Sequence, residues 1–319
     1  MSSSLRDTAL ELGYTDARPV TGHPFEVWHD RLRSIPFGKS FSFEHDPAKI
    51  SGWPVEEITI WVAVSPTPPI EDWPEDCGEI SSFYIHSQKR ISRFTTWARA
   101  AEASGYEIKR DVTLPARAAA IRAGLGVHGL NGLMLTPGYG SYVDITYLLL
   151  HAAPPPDARG PENDLSAGCG NCGDCIKACP TGAVSENGVD ALVCLRNYMN
   201  HPEQLPREDY SKMKKRILGC DNCQRVCPKN AALKREPPPA DMIDALKLEN
   251  LLNQPDIDLM LKYIEPAQLN KTNIKAHAIL AAANTGRCDL LAEVEKFIGK
   301  DDIVRDKFAR WASERLREQ

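Results

Sequence analysis

The apolar positions of residues 5 to 13 fall at helical spacing and stop at Gly13, which predicts a short helix. Ile58 to Val64 is an unbroken apolar run closed by Pro66, the mark of a buried strand, and helix then core strand predicts an α/β layer. Proline and aspartate crowd residues 65 to 77, a loop. From Ser82 to Ser104, Phe83, Ile91, Phe94, Trp97, Ala98 and Ala101 recur as one face of a long helix ended by Gly105, and Tyr106 to Val112 reads as a strand. His86, Lys89, Arg90 and Arg93 are assigned to that helix's solvated side. Pro115 opens a further helix to Ala123, and strands at 133–136 and 142–150 flank the turn Pro137-Gly-Tyr-Gly140. Beyond Pro237-Pro-Pro239 the pattern is helical: 272–284 and 288–298 pair through Thr285-Gly286-Arg287, and 301–316 adds a third helix.

With 319 residues the chain has room for two or three units, and its pattern divides at 1–156, 157–236 and 237–319. The first division is marked by Pro154-Pro155-Pro156-Asp157. The last unit has the layout of a HEAT-like helical repeat, so the expected class is α+β with a small helical C-terminal region. No apolar run approaches the roughly 18 residues of a membrane span, and the start has neither a basic segment with an apolar core nor a twin arginine. These features predict a cytoplasmic protein with no membrane partner. The net charge is −5, yet residues 207 to 235 carry nine Lys/Arg against three acids. Such a stretch suits an acidic redox partner or an RNA backbone, or compensates anionic groups held nearby.

Those anionic groups are suggested by eight of the ten cysteines, which lie between Cys169 and Cys227. Cys169, Cys172, Cys175 and Cys179-Pro180 form the C-x2-C-x2-C-x3-C-P run of bacterial ferredoxins, whose fourth cysteine serves the other cluster. Cys220, Cys223 and Cys227-Pro228 repeat its ending, and Cys194 fills the missing position. Two sets of four thiolates follow: Cys169, Cys172, Cys175 and Cys227 for one [4Fe–4S] cluster, and Cys194, Cys220, Cys223 and Cys179 for the other. Zinc would take the same soft ligands, and disulfides are the further alternative. Cys77 and Cys288 have no partner pattern and read as ordinary thiols. Cluster pairs pass single electrons, so an acceptor or donor is required beside them.

Upstream, Gly124-Leu-Gly126-Val-His128-Gly129-Leu-Asn131-Gly132 puts four glycines in nine residues, which lets backbone approach a flat ligand or turn sharply. It follows a helix and so fails as a dinucleotide fingerprint. Taken together, Arg122-Ala-Gly-Leu-Gly126, Gly129, Asn131-Gly132-Leu133, Thr136-Pro-Gly-Tyr-Gly140 and Ile217-Leu-Gly-Cys-Asp-Asn-Cys-Gln-Arg-Val-Cys-Pro-Lys-Asn230 resemble the epoxyqueuosine reductase and reductive dehalogenase superfamily. The resemblance implies a nitroreductase-like corrinoid domain, two [4Fe–4S] clusters, cobalamin, and an electron donor such as flavodoxin or ferredoxin. It implies reduction of an epoxide or a carbon–halogen bond, on a small molecule or a tRNA-borne base. It also implies corrinoid contacts from Arg117, Arg122, Gly124, Gly126, Gly129, Asn131, Gly140, Ser141 and Tyr142. Asp111 falls near the family's proton-donating aspartate, and Tyr139, Tyr142 and His128 are the other candidate acids. The chain departs from the family pattern at Ile121, Val127 and Leu130, and in Tyr84-Ile-His-Ser-Gln-Lys-Arg90. A ferredoxin-type donor that reactivates a partner corrinoid protein is the second function these residues allow.

Overall fold

The computed structural model of the protein describes residues 2–34, 44–110, 112–161, 168–170, 172–269 and 273–318. Asp111, the candidate acid, lies outside them. The expected core strand is β2 (Ile58–Pro66), at the heart of a sheet with β1 (Asp16–Thr21), β3 (Glu107–Lys109) and β4 (Val143–His151) in the order β1-β2-β4-β3. Every neighbouring pair is antiparallel. Eight of the nine β2 residues are buried, because both faces of the sheet are covered. On one face Ile58, Ile60, Val62 and Leu149 pack with Phe25 and with helix α3 (Ala116–Arg122). On the other, Trp61, Ala63, Leu148 and Leu150 pack with Leu5 of helix α1 (Ser2–Glu11) and Trp97 of helix α2 (Ser87–Ala103).

Strand β1 is absent from the pattern reading because it contains Pro19. It is an edge strand, and the Pro19 carbonyl accepts from Arg159 N on the outer side at 3.2 Å, so the missing N–H faces away from β2. The helix expected over 82–104 is two pieces, Ser82–Ile85 and α2, broken at His86 (φ −94°, ψ 0°). The strand expected over 106–112 shrinks to β3. Arg90, expected in solvent, is drawn inward to Asp144 (3.4 Å) and Glu265 (2.5 Å).

The rest of the chain builds one apolar core from distant stretches. Ile80, Tyr84 and Ile85 pack with Leu195, Met199 and Leu218 and with Ile279, Leu280 and Phe308 of the C-terminal helices. Glu79–Ile80 pairs in parallel with Arg216–Leu218, tying the first third of the chain to the segment that delivers Cys220. Helix α4 (Ile274–Asn284), capped by Asn273, runs through this core with nine of its eleven residues buried. Helix α5 (Ile303–Arg317), capped by Asp302, packs against it. The helix expected over 288–298 is a 3-10 turn and the short helix Leu291–Glu295. The basic stretch is largely paired: Arg207 with Glu314 (2.6 Å), Arg235 with Glu71 (2.5 Å), Arg225 with Glu79, and Lys215 with the carbonyls of Trp73 and Pro74. No helix among the described residues is long and apolar enough to cross a membrane.

Candidate functional site

Each cysteine is set by a local break in the chain. Cys179 closes the short helix Asp174–Ala178 ahead of Pro180, and Cys194 caps Leu195–Asn200. Cys220 follows Gly219, whose φ of +84° and close approach to Ser81 and Tyr84 leave no room for a side chain. Cys223 sits in the turn Asn222–Arg225, and Cys227 precedes a proline-started turn.

All ten cysteines are free thiols, which removes the disulfide alternative. The two expected sets are separated in space as the spacing predicts. Cys169, Cys172, Cys175 and Cys227 line a small hollow with Gly129, Leu130, Asn131 and Leu135. Cys179, Cys194, Cys220 and Cys223 line a different and much larger cavity of about 660 Å³. Among the described residues no three His, Cys, Asp or Glu side chains converge tightly enough for a single ion. Burial pushes the Cys194, Cys220 and Cys223 thiols up, so these ligands are protonated until iron displaces the proton.

The large cavity also touches the sheet domain. Its wall includes Arg117, Asn131, Ser141 and Tyr142 from the candidate ligand set and His128 from the candidate acids. Ser141 is fixed by Asn230, whose Oδ1 accepts from Ser141 N at 2.9 Å. Gly140 makes this possible: its φ is +53°, and a Cβ there would strike Asn230 and the Lys229 carbonyl. Asn131 is buried and reaches both hollows.

Other expected contacts are absent from the cavity wall. The Arg122 guanidinium stacks on Phe25 at 3.8 Å and donates to the carbonyls of His23 (2.7 Å) and Pro24 (2.8 Å). Gly124 packs on Arg159, and Gly126 on Met134 and the Leu135 carbonyl, so these glycines serve packing of protein on protein. Gly129 faces the small hollow, and Tyr139 lines neither.

Two buried carboxylates in the wall escaped the pattern reading. Asp144 extends from β4 with its side chain 6% exposed; burial pushes its carboxyl up and Arg90 opposes this. Its signal was available: Asp144 and Thr146 occupy the buried alternate positions of an otherwise apolar strand. Asp221 accepts from Ser81 Oγ and from Ser82 N (3.2 Å), and burial raises its carboxyl too. Tyr142, whose hydroxyl burial also pushes up, stands on the same wall.

Residues 168–230 match the family described as a 4Fe-4S double cluster binding domain. The chain is 35% identical over 177 residues to the epoxyqueuosine reductase of Bacillus anthracis, an alignment covering 53% of this chain and 45% of that protein. It spans about half the length of the curated relatives it matches. Its fold matches epoxyqueuosine reductase from Bacillus subtilis with a TM-score of 0.81 and 25% identity, over 99% of this chain and 90% of that one. An epoxyqueuosine reductase crystallised with a tRNA-Tyr epoxyqueuosine-modified stem loop has the same fold, with a TM-score of 0.80 and 24% identity over 99% and 90% of the two chains.

Proposed function

We propose that this chain, a homologue of the epoxyqueuosine reductases in sequence and fold, is a cobalamin-dependent iron–sulfur reductase. One observation carries the reading: the second four-cysteine set opens into a large cavity whose opposite wall is the sheet domain. A cluster meant only to pass electrons to an outside partner would gain nothing from facing an internal chamber. The volume, about 660 Å³, lies within the roughly 300–1,000 Å³ of ligand pockets. Its lining is mainly apolar with a few placed polar groups, as a bulky amphipathic cofactor requires. Residues 1–156 would then form a nitroreductase-like corrinoid domain and 237–319 a HEAT-like cap, in the cytoplasm where thiols stay reduced.

When bound, the corrinoid supplies a low-potential nucleophilic metal that the side chains here cannot. Asn131, Ser141, Tyr142, Arg117 and His128 would hold and orient it. Cys172 of the first set is exposed, so that set would hold the cluster open to an electron donor such as a flavodoxin or ferredoxin, and the second set would hold the one beside the cavity. Opening an epoxide takes two electrons and at least one proton. Asp111 is the donor expected from the family, and Asp144 is a second carboxyl already on the wall, kept able to carry a proton by burial. The substrate class we propose is an epoxide on a tRNA-borne modified base.

The test is anaerobic reconstitution of the chain with iron and sulfide, followed by hydroxocobalamin. Cobalamin retained through gel filtration, with a perturbed difference spectrum and epoxide-to-alkene turnover on a modified stem loop, is the expected result. Retention with turnover only on a carbon–halogen substrate would move the chain to the dehalogenase chemistry. A chain with full iron that never retains cobalamin would overturn the proposal in favour of a ferredoxin-type donor. That second reading has lost its docking face, since most of the basic stretch is taken up by internal partners.

A further inference from the structure

A [4Fe–4S] cluster with four thiolates is an anion, and burying an anion is costly without nearby positive charge. None of the four cysteines of the second site is exposed, whereas the first set runs from the buried Cys175 to the exposed Cys172. Cys194 is half-buried with Tyr84 and Leu195 around it, whereas Cys172 of the first site is exposed. Desolvation alone would make the second cluster the harder to reduce, because reduction adds negative charge. Electrons moving inward would then go uphill.

Charged groups around the second site oppose this. Arg196, two residues beyond Cys194, lies in the cavity wall with Cys194 and Cys220. Among the described residues its guanidinium donates to neutral groups: the Tyr84 hydroxyl, Asn200 Oδ1 (2.6 Å) and Gln268 Oε1 (3.0 Å). Arg216 is 4% exposed and also meets neutral groups, the carbonyls of Lys212 and Met213 and the side chain of Asn222. Asn222 stands between Cys220 and Cys223, and the Arg216 Nε is buried with no hydrogen-bond partner. Neither arginine has a carboxylate partner among the described ion pairs, unlike Arg225, which pairs with Glu79. Asp221 is held by Ser81 and Ser82, and Asp144, elsewhere on the cavity wall, is paired with Arg90. The hollow of the first site, by contrast, has no lysine, arginine, aspartate or glutamate in its wall among the described residues.

We infer that Arg196 and Arg216 are the counter-charges of the second cluster, and that they hold its potential high enough to receive an electron from the first. Their role is to position charge, not to touch substrate. The inference rests on the cluster assignment and not on the corrinoid, so it is tested without cobalamin. An EPR-monitored redox titration of the full reconstituted chain supplies the readout, with the second cluster identified as the signal lost in Cys194→Ser. In Arg196→Gln and Arg216→Gln, that cluster's midpoint should move negative. The reduced-to-oxidised ratio at fixed potential should fall tenfold or more, which is about 59 mV for one electron. The first cluster should stay in place, and Arg196→Lys should restore most of the shift. If Arg216→Gln fails to hold iron, the Arg196 pair decides alone. An unchanged midpoint in Arg196→Gln, equal movement of both clusters, or no rescue by lysine would overturn the inference.

Discussion

The two four-cysteine sites use the same ligands at nearly the same spacing, yet their surroundings differ in almost every respect. One is a small hollow walled by backbone, Leu130 and Leu135, with Cys172 exposed. The other opens on a 660 Å³ chamber bounded by buried carboxylates, arginines and Tyr142. The same ligand set is therefore placed in two different surroundings, one a small hollow and one the wall of a large cavity. Cysteine spacing encodes which metal is held, while the tertiary neighbours decide what the cluster is for.

The sharpest way to break the comparison is Cys194→Ser. Iron should fall from about eight to about four per chain, and reduction of added cobalamin should drop to background although the first cluster remains. Iron analysis alongside a stopped-flow absorbance assay would check both. Asp144→Asn tests the chamber alone. Because burial raises the Asp144 carboxyl, its proton is available at low pH and lost as pH rises through that raised value. If Asp144 supplies a proton, turnover should fall about 10²-fold in Asp144→Asn and lose the alkaline limb of its pH profile, with both EPR signals unchanged. An intact profile would move the donor to Asp111 or to one of the other candidate acids, Tyr139, Tyr142 and His128.

His277 offers a gentler probe. It is fully buried on α4 and donates from Nδ1 to the Ile217 carbonyl at 2.9 Å, in the strand that leads to Cys220. Burial pushes its pKa from 6.5 down to about 4. The unfolded chain takes up a proton below 6.5 and the folded chain does not, so stability should be level above 6.5 and decline as pH falls towards 4. The loss should reach about 3 kcal/mol, measurable as urea midpoints at pH 7.5 and 4.5. His277→Gln should flatten that decline. At the bottom of the scale, Cys77→Ser and Cys288→Ser should leave iron content unchanged, since neither thiol lines a cluster hollow.

How much of this was readable beforehand follows from the range of each interaction. Strand β2 and helix α1 depend on residues a few positions apart, and they were legible. Gly124 and Gly126 were not legible as packing residues, because a glycine makes way equally for a ligand, a carbonyl or a neighbouring side chain. Arg122 was misread for the same reason: a basic residue beside glycines looks ligand-directed until Phe25 and the carbonyls of 23 and 24 appear on it. Arg90, Arg196 and Asp221 take their meaning from partners 54 to 175 residues away, which no local pattern can reveal.

The burial of α4 has a bearing on how the molecule is assembled in time. This helix, near the C-terminal end, forms the support on which the strand before Cys220 rests, through His277 and the apolar contacts of Ile279 and Leu280. The first cluster's ligands end at Cys227, whereas the second set lacks its backing until residues 274–284 have left the ribosome. The second site is therefore the later of the two to be completed: its ligands end at Cys223, but the strand that delivers Cys220 is held in place only once residues 274–284 have packed behind it.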